Sequence, residues 1–187
     1  MTGRITLDAS RLDGVQVLQR CVLGDSRGYL ERMFCDEELA PWLGGGRVRQ
    51  INHSATAIRG TVRGLHFQRA PHGEVKIVSC LRGEVFDVAV DLRYGSPTFL
   101  QWHAEILSAT NHRSLLIPPG VAHGFQTLQA DSELLYFHTT PHVPESEGGV
   151  HPSDPRVHVD WPLPVGGLSP RDASHPPIRA DFDGLRP

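Results

Sequence analysis

The stretch Gly-Thr-Val-Arg-Gly-Leu-His-Phe-Gln, residues 60–68, places an arginine and a histidine close together in an apolar, β-branched run. Strand alternation puts Arg63 and Leu65 on one face, with Gly64, His66 and Gln68 on the other. His66 then shares a face with a glycine that leaves room above it. An imidazole titrates near neutrality, so one beside a space is suited to moving protons. Lys76 lies in Glu-Val-Lys-Ile-Val, where a charge needs a partner or a cavity to offset burial. Tyr136 lies in Leu-Leu-Tyr-Phe-His, a polar tip in another apolar strand. A base, a cation and a phenol together match proton abstraction next to a carbonyl. The imidazole takes the proton, the ammonium stabilises the developing enolate, and the phenol returns a proton. Each residue also has a plain structural reading. His66 fits a hydrogen-bonded strand histidine, Lys76 an edge charge that blocks aggregation, and Tyr136 a core aromatic with a satisfied hydroxyl.

These groups must be held by strands. Apolar runs separated by turn signals predict strands over 47–53, 61–68, 75–82, 84–92, 99–107, 113–117, 122–128 and 132–140, with an earlier one over 13–22. Arg82-Gly83 has the form of a tight hairpin link, and Gly95-Ser96-Pro97 and Pro118-Pro119-Gly120 of turns. Asp36 to Leu43 reads as a short helix with Asp36 at its N-cap. Strands at such spacing predict a mainly β sandwich, barrel or jelly roll with few short helices. The tail from about residue 141, rich in Pro, His and Asp, is expected to be irregular and to pack over the barrel without adding strands. The 187 residues suffice for one domain, 1–187, with a sizeable core.

Composition narrows the classes of partner. Hydrophobic residues make up 39%, charged ones 21%, and the formal charge is −3, so no basic footprint points to nucleic acid. No apolar run reaches membrane-spanning length. The N-terminal residues lack an apolar signal core, and Cys21, Cys35 and Cys80 form neither a metal spacing nor a disulfide framework. A cytoplasmic protein with reduced thiols is expected.

Gly60 followed by His66 is similar to the start of the first cupin motif, and Pro118-x-Gly120-x-x-His123 to the core of the second. Metal-binding cupins continue the first motif as His-x-His, but here the second position is Gln68, a poor ligand for zinc or ferrous iron. Thr127 replaces the asparagine usual in the second motif. His72 and Glu74 lie near the position of the motif's glutamate, which leaves a partial metal site open. The expectation is a cupin-like jelly-roll barrel that uses no metal and no cofactor.

Longer motifs sharpen this. Residues 63–68 (Arg-Gly-Leu-His-Phe-Gln), 83–93 (Gly-Glu-Val-Phe-Asp-Val-Ala-Val-Asp-Leu-Arg) and 96–99 resemble the dTDP-4-dehydrorhamnose 3,5-epimerase family. So do residues 117–125, Asp154-Pro155, Trp161-Pro162 and Leu168-Ser169-x-x-Asp172. The resemblance implies a homodimeric, metal-independent jelly roll. Such an enzyme inverts carbon centres beside the C4 keto group of a nucleotide-linked 4-keto-6-deoxyhexose through an enolate, in deoxysugar biosynthesis. It further implies His66 as general base, Asp172 as its orienting carboxylate, Tyr136 as general acid and Lys76 as the oxyanion stabiliser. His123 would line the sugar pocket beside Gln68. Arg63 and Arg27 would hold the diphosphate, a task suited to bidentate guanidinium groups. Gln50 and Asn52 match a nucleotide-contacting segment, and Glu147 and Arg171 fall at ligand positions. Two readings of other classes stand beside it, a non-catalytic cupin that binds a sugar nucleotide and a metal-dependent cupin enzyme.

Departures from the family pattern cluster at the nucleobase. Arg32 occupies the position of a base-contacting glutamate, while Glu31 is one residue early and faces the other way unless a bulge intervenes. His142 stands where the family has a tyrosine that stacks on the base. The expectation is altered base recognition, with inversion at C3, C5 or both left open. Arg63 and His66 lie on opposite faces by simple alternation, so a common substrate requires a local twist or bulge before His66.

Overall fold

Alternating apolar residues bury one face of each strand, and the chain satisfies this with two sheets packed face to face. A computed structural model describes residues 3–186. Its strands are β1 (Ile5–Ala9), β2 (Gln16–Arg20), β3 (Val22–Asp25), β4 (Gly28–Glu31), β5 (Gln50–Thr56), β6 (Val62–Gln68) and β7 (Lys76–Arg82). They continue as β8 (Glu84–Asp91), β9 (Trp102–Ser108), β10 (Arg113–Ile117), β11 (Val121–Thr127), β12 (Ser132–His138) and β13 (Glu147–Gly149). Two short helices, α1 (Asp36–Leu39) and α2 (Pro170–Ala173), complete the inventory with single 3-10 turns at Ala40–Trp42 and Pro144–Ser146.

One sheet has the order β1-β2-β10-β7-β12-β5 and the other β13-β6-β11-β8-β9, while β3 and β4 form a separate hairpin. This is the mainly β jelly roll predicted from the sequence. Side chains from both sheets meet in the middle, with Val78, Leu115, Ile117 and Leu134 packed against Val85, Ala89, Leu107 and Phe125. Alternation sends Leu116, Ile77 and Leu18 to the outer face of the first sheet, where Leu39 of α1 and Leu43 cover them. Leu65, Phe67, Val88 and Val90 face outward from the second sheet and are covered by Val150, Val157 and Trp161 of the tail. Each such fully buried aliphatic side chain stabilises the fold by about 1.5–3 kcal/mol.

The structure corrects several sequence readings. Arg82-Gly83 is not a hairpin, because β7 and β8 lie in different sheets. Gly83, at φ +74°, instead turns the chain across the sandwich edge, and a Cβ there would meet Ser132 Oγ at 2.5 Å. The 13–22 strand is confined to β2, Gln16–Arg20, and the 47–53 strand begins later, at Gln50. Cys35, not Asp36, is the N-cap of a helix shorter than expected, because Pro41 follows one turn later in a 3-10 segment. The tail does add a strand, since β13 pairs with β6. β1 and the β3–β4 hairpin were not anticipated, because their runs are short and weakly alternating.

Candidate active site

One open end of the sandwich holds a cavity of about 560 Å³ lined from both sheets. From β6 and β11 come Arg63, His66, Gln68 and His123, and from β12 and β7 come Tyr136, His138 and Lys76. β5 lines one side with Gln50, Asn52 and Ser54, which share a face, and with Ile51 and His53 between them. His142, Glu147 and Arg171 close the rim.

Of the twist or bulge required by Arg63 and His66, the structure has a bulge. His123 faces His66, but Phe125 faces Arg63, so β6 carries one more residue than β11 across this interval. Both side chains therefore reach the cavity. The glycine beside His66 leaves no empty space, however. A Cβ on Gly64 (φ +113°) would lie 2.6 Å from Gly124 Cα and 2.7 Å from the His123 carbonyl oxygen. The missing side chain is replaced by the β11 backbone.

His66 Nε2 lies 2.7 Å from Asp172 Oδ1. The tail positions this carboxylate. Ser169 caps α2 by accepting the Asp172 N–H at 3.1 Å, and Pro170 follows in the first turn. Gly64 N–H donates to the other oxygen at 3.4 Å. Burial raises the Asp172 carboxyl, but the His66 hydrogen bond and charge outweigh it and hold the carboxyl below its ordinary value. Burial lowers His66, and the Arg171 guanidinium adds to that against the opposing pull of Asp172. The net result is an imidazole below its usual pKa, neutral and able to accept a proton near pH 7.

Facing it from the opposite sheet, Tyr136 packs against the core with its hydroxyl 3.3 Å from Ser54 Oγ. Burial pushes its phenol well above the ordinary range, which keeps it protonated. Lys76 pairs with Glu74 at 3.3 Å. His123 Nε2 lies 2.8 Å from buried Asp87. Gln68 is nearly buried, and its amide is engaged within the protein. Its oxygen accepts the Val143 N–H at 2.6 Å and its nitrogen donates to the His72 and Pro141 carbonyls.

Two predicted site residues lie elsewhere within the chain. Arg27 sits at the exposed turn of the β3–β4 hairpin and pairs with Asp25. Arg32 pairs with Glu38 of α1. Glu31 likewise faces away, accepting Arg20 Nε at 2.8 Å and approaching His112 Nδ1 at 3.0 Å. His142 lines the cavity and is held by Glu147 at 3.2 Å, which also pairs with Arg171 at 2.7 Å.

Sequence reasoning missed His138 and His175 and treated Glu74 only as a metal-position candidate. Tyr136 and His138 stand two apart on one strand, so alternation was a usable signal for the first. His175 comes within 4.8 Å of His66 and Asp172 only through the folding of the tail, which has no period to read.

A jelly roll whose mouth holds a carboxylate-backed imidazole, an ammonium and a buried phenol defines a cupin-like acid–base isomerase. The dTDP-4-dehydrorhamnose 3,5-epimerase family model matches residues 9–180, and the chain belongs to that family. It is 43% identical to a dTDP-4-dehydrorhamnose 3,5-epimerase of Salmonella typhimurium over 165 residues, 87% of this chain and 89% of the relative. It is 38% identical to a dTDP-4-dehydrorhamnose 3-epimerase of Streptomyces niveus, across 86% of this chain and 78% of that one. The crystal structure of a dTDP-6-deoxy-D-glucose-3,5-epimerase from Legionella pneumophila, in complex with dTDP-4-keto-L-rhamnose, superposes with a TM-score of 0.89. That pair shares 39% identity over 97% of this chain and 98% of the other.

Proposed function

We propose that this chain is one epimerase domain that inverts C3, C5 or both in a nucleotide-linked 4-keto-6-deoxyhexose, without a metal or cofactor. The carrying observation is that His66 and Tyr136 project into one cavity from facing sheets. Inversion needs a base on one face of the sugar ring and an acid on the other, which this placement supplies. With Nε2 donating to Asp172, Nδ1 of His66 is the atom left to accept the α-proton. Lys76 stabilises charge as it gathers on the C4 oxygen. Tyr136 delivers a proton from the opposite side, Arg63 binds the diphosphate, and Gln50, Asn52 and His142 meet the nucleoside.

The test is solvent-deuterium incorporation at C3 and C5, followed by NMR across a small panel of 4-keto sugar nucleotides. Wild-type protein is expected to exchange at least one position and His66→Ala neither. No exchange with any member of the panel overturns the proposal. Calorimetry with dTDP, CDP and GDP tests the base. With His142 in place of a larger aromatic, the expected preference for dTDP is weak, and a strong one contradicts altered base recognition.

The same reading includes a cytoplasmic homodimer. None of the described helices is long and apolar enough to cross a membrane. The β3–β4 hairpin exposes Leu23, Tyr29 and Leu30 at 45%, 61% and 60%, an apolar surface suited to a second copy of the chain. Packing of that hairpin on a neighbour would carry Arg27 toward the neighbour's cavity. Light scattering should give a dimer for wild type and a monomer for Leu30→Asp. A wild-type monomer at micromolar concentration contradicts this part.

A further inference from the structure

Five imidazoles line the cavity; those of His53 and His142 are half-exposed, and each of the other three leans on its own, more buried carboxylate. His66 meets Asp172 at 2.7 Å, His123 meets Asp87 at 2.8 Å, and His138 meets Glu74 at 2.9 Å. The third pair has no part in the proton transfers above. Its carboxylate is nevertheless the partner of Lys76. Lys76 and His138 face each other in the β7–β12 ladder, and the side chains of Lys76, Glu74 and His138 are only 11–12% exposed. Lys76 is also the only lysine among the 18 lysines and arginines of the chain. An arginine stays charged in any surroundings, whereas a lysine ammonium is compact and its charge responds to its neighbours.

We propose that Glu74 couples Lys76 to His138, so that this third pair positions and tunes the ammonium that meets the enolate oxygen. The inference rests on the reaction proposed above. Glu74 turns one oxygen to each partner, Oε1 to Lys76 and Oε2 to His138 Nδ1. His138 Nε2 stands 3.4 Å from the Asn52 amide nitrogen. A single neutral tautomer, with Nδ1 donating and Nε2 accepting, satisfies both contacts. The carboxylate is thereby locked, and the ammonium with it. Lys76 and Glu74 together present no net charge, so protonation of His138 leaves this wall of the cavity one unit more positive. The groups facing His138 are Glu74 and Lys76 from the β7 side, Asn52 from β5 and Tyr136 on its own strand, with ring centroids 6.1 Å apart. Burial raises the Glu74 carboxyl, but the His138 hydrogen bond and the Lys76 charge together hold it below its ordinary value.

A single lysine makes the coupling directly visible, because protein labelled with nitrogen-15 at lysine Nζ gives one side-chain signal. The Lys76 signal is expected to differ in position between wild type and His138→Gln and to stay in place in His66→Asn. A Lys76 signal that His138→Gln leaves in place overturns the coupling. In exchange kinetics, Glu74→Gln and His138→Gln should each slow deuterium incorporation by about tenfold with KM unchanged. Neither should cause further loss in a Lys76→Met background. Equal losses in both backgrounds, or a rise in KM alone, overturn the positioning role. Wild-type protein that incorporates no deuterium sinks the epimerase reading instead, and the Lys76 signal then decides the coupling independently.

Discussion

Gly64 and Gly124 touch backbone to backbone, and that contact sets where the histidines of β6 and β11 stand. A Cβ on Gly124 would lie 2.6 Å from the Arg63 carbonyl oxygen, and one on Gly64 equally close to Gly124 Cα. The bulge that brings Arg63 and His66 to the same cavity lies in this interval.

Gly64→Ala is therefore expected to cost roughly 2–5 kcal/mol, from a left-handed φ that alanine resists and a clash with backbone. Chemical denaturation measures it. Wild-type stability in this variant would contradict the close contact.

Asp172→Asn should lower kcat by about 10²–10⁴-fold with little change in KM, because the amide can hold the imidazole but cannot balance its charge. Thermal melting alongside the exchange assay separates this from unfolding. A variant within twofold of wild-type kcat, on the order expected for a bystander, would remove Asp172 from the mechanism.

The pH profile follows from the direction of the His66 shift. Its pKa is lowered by burial and by Arg171, and is raised in part by Asp172. The proposed base works as the neutral imidazole, so the acid limb should fall below the ordinary histidine value of about 6.5. Arg171→Gln removes a lowering influence and should move that limb to higher pH, whereas Asp172→Asn should move it lower. A limb that Arg171→Gln leaves in place would assign it to another group.

Asp91 offers a stability test away from the cavity. Its buried carboxylate accepts Arg93 Nε and Nη2 at 2.9 and 2.7 Å and Thr98 Oγ1 at 2.6 Å, closing the turn at Gly95-Ser96-Pro97. Burial raises this carboxyl, but Arg93, Ser96 and Thr98 hold it below its ordinary value. Its contribution is present above about pH 3.9 and is lost as pH falls through the lower folded value. Asp91→Asn should destabilise the protein by roughly 3 kcal/mol at pH 7 and flatten this acid limb. Urea unfolding at pH 3 to 7 checks both.

Most strands from β5 to β12 were legible because their alternation is strong and glycine or proline punctuates them. Sheet membership was not, since Gly83 serves a sheet-crossing corner as readily as a hairpin. Within the site, His66, Tyr136 and Lys76 stood out as polar groups in apolar runs. A twist or bulge was inferred from the need for Arg63 and His66 to meet one substrate, and a bulge is there. Asp172 could be placed only by motif resemblance, because no periodicity links the tail to β6. Arg27 and Arg32 carry the right chemistry but sit on the hairpin and beside α1, since a motif does not say which surface its loop will face.

The carboxylate behind His66 comes from beyond the last strand of the fold. Every strand of both main sheets precedes it, down to β13. During synthesis the barrel can close around its core while the imidazole still lacks its partner. The dyad forms only after residue 172 has left the ribosome, later than every strand of both sheets. A fragment that stops just before residue 169 would keep both sheets and leave the His66 imidazole without its counter-charge.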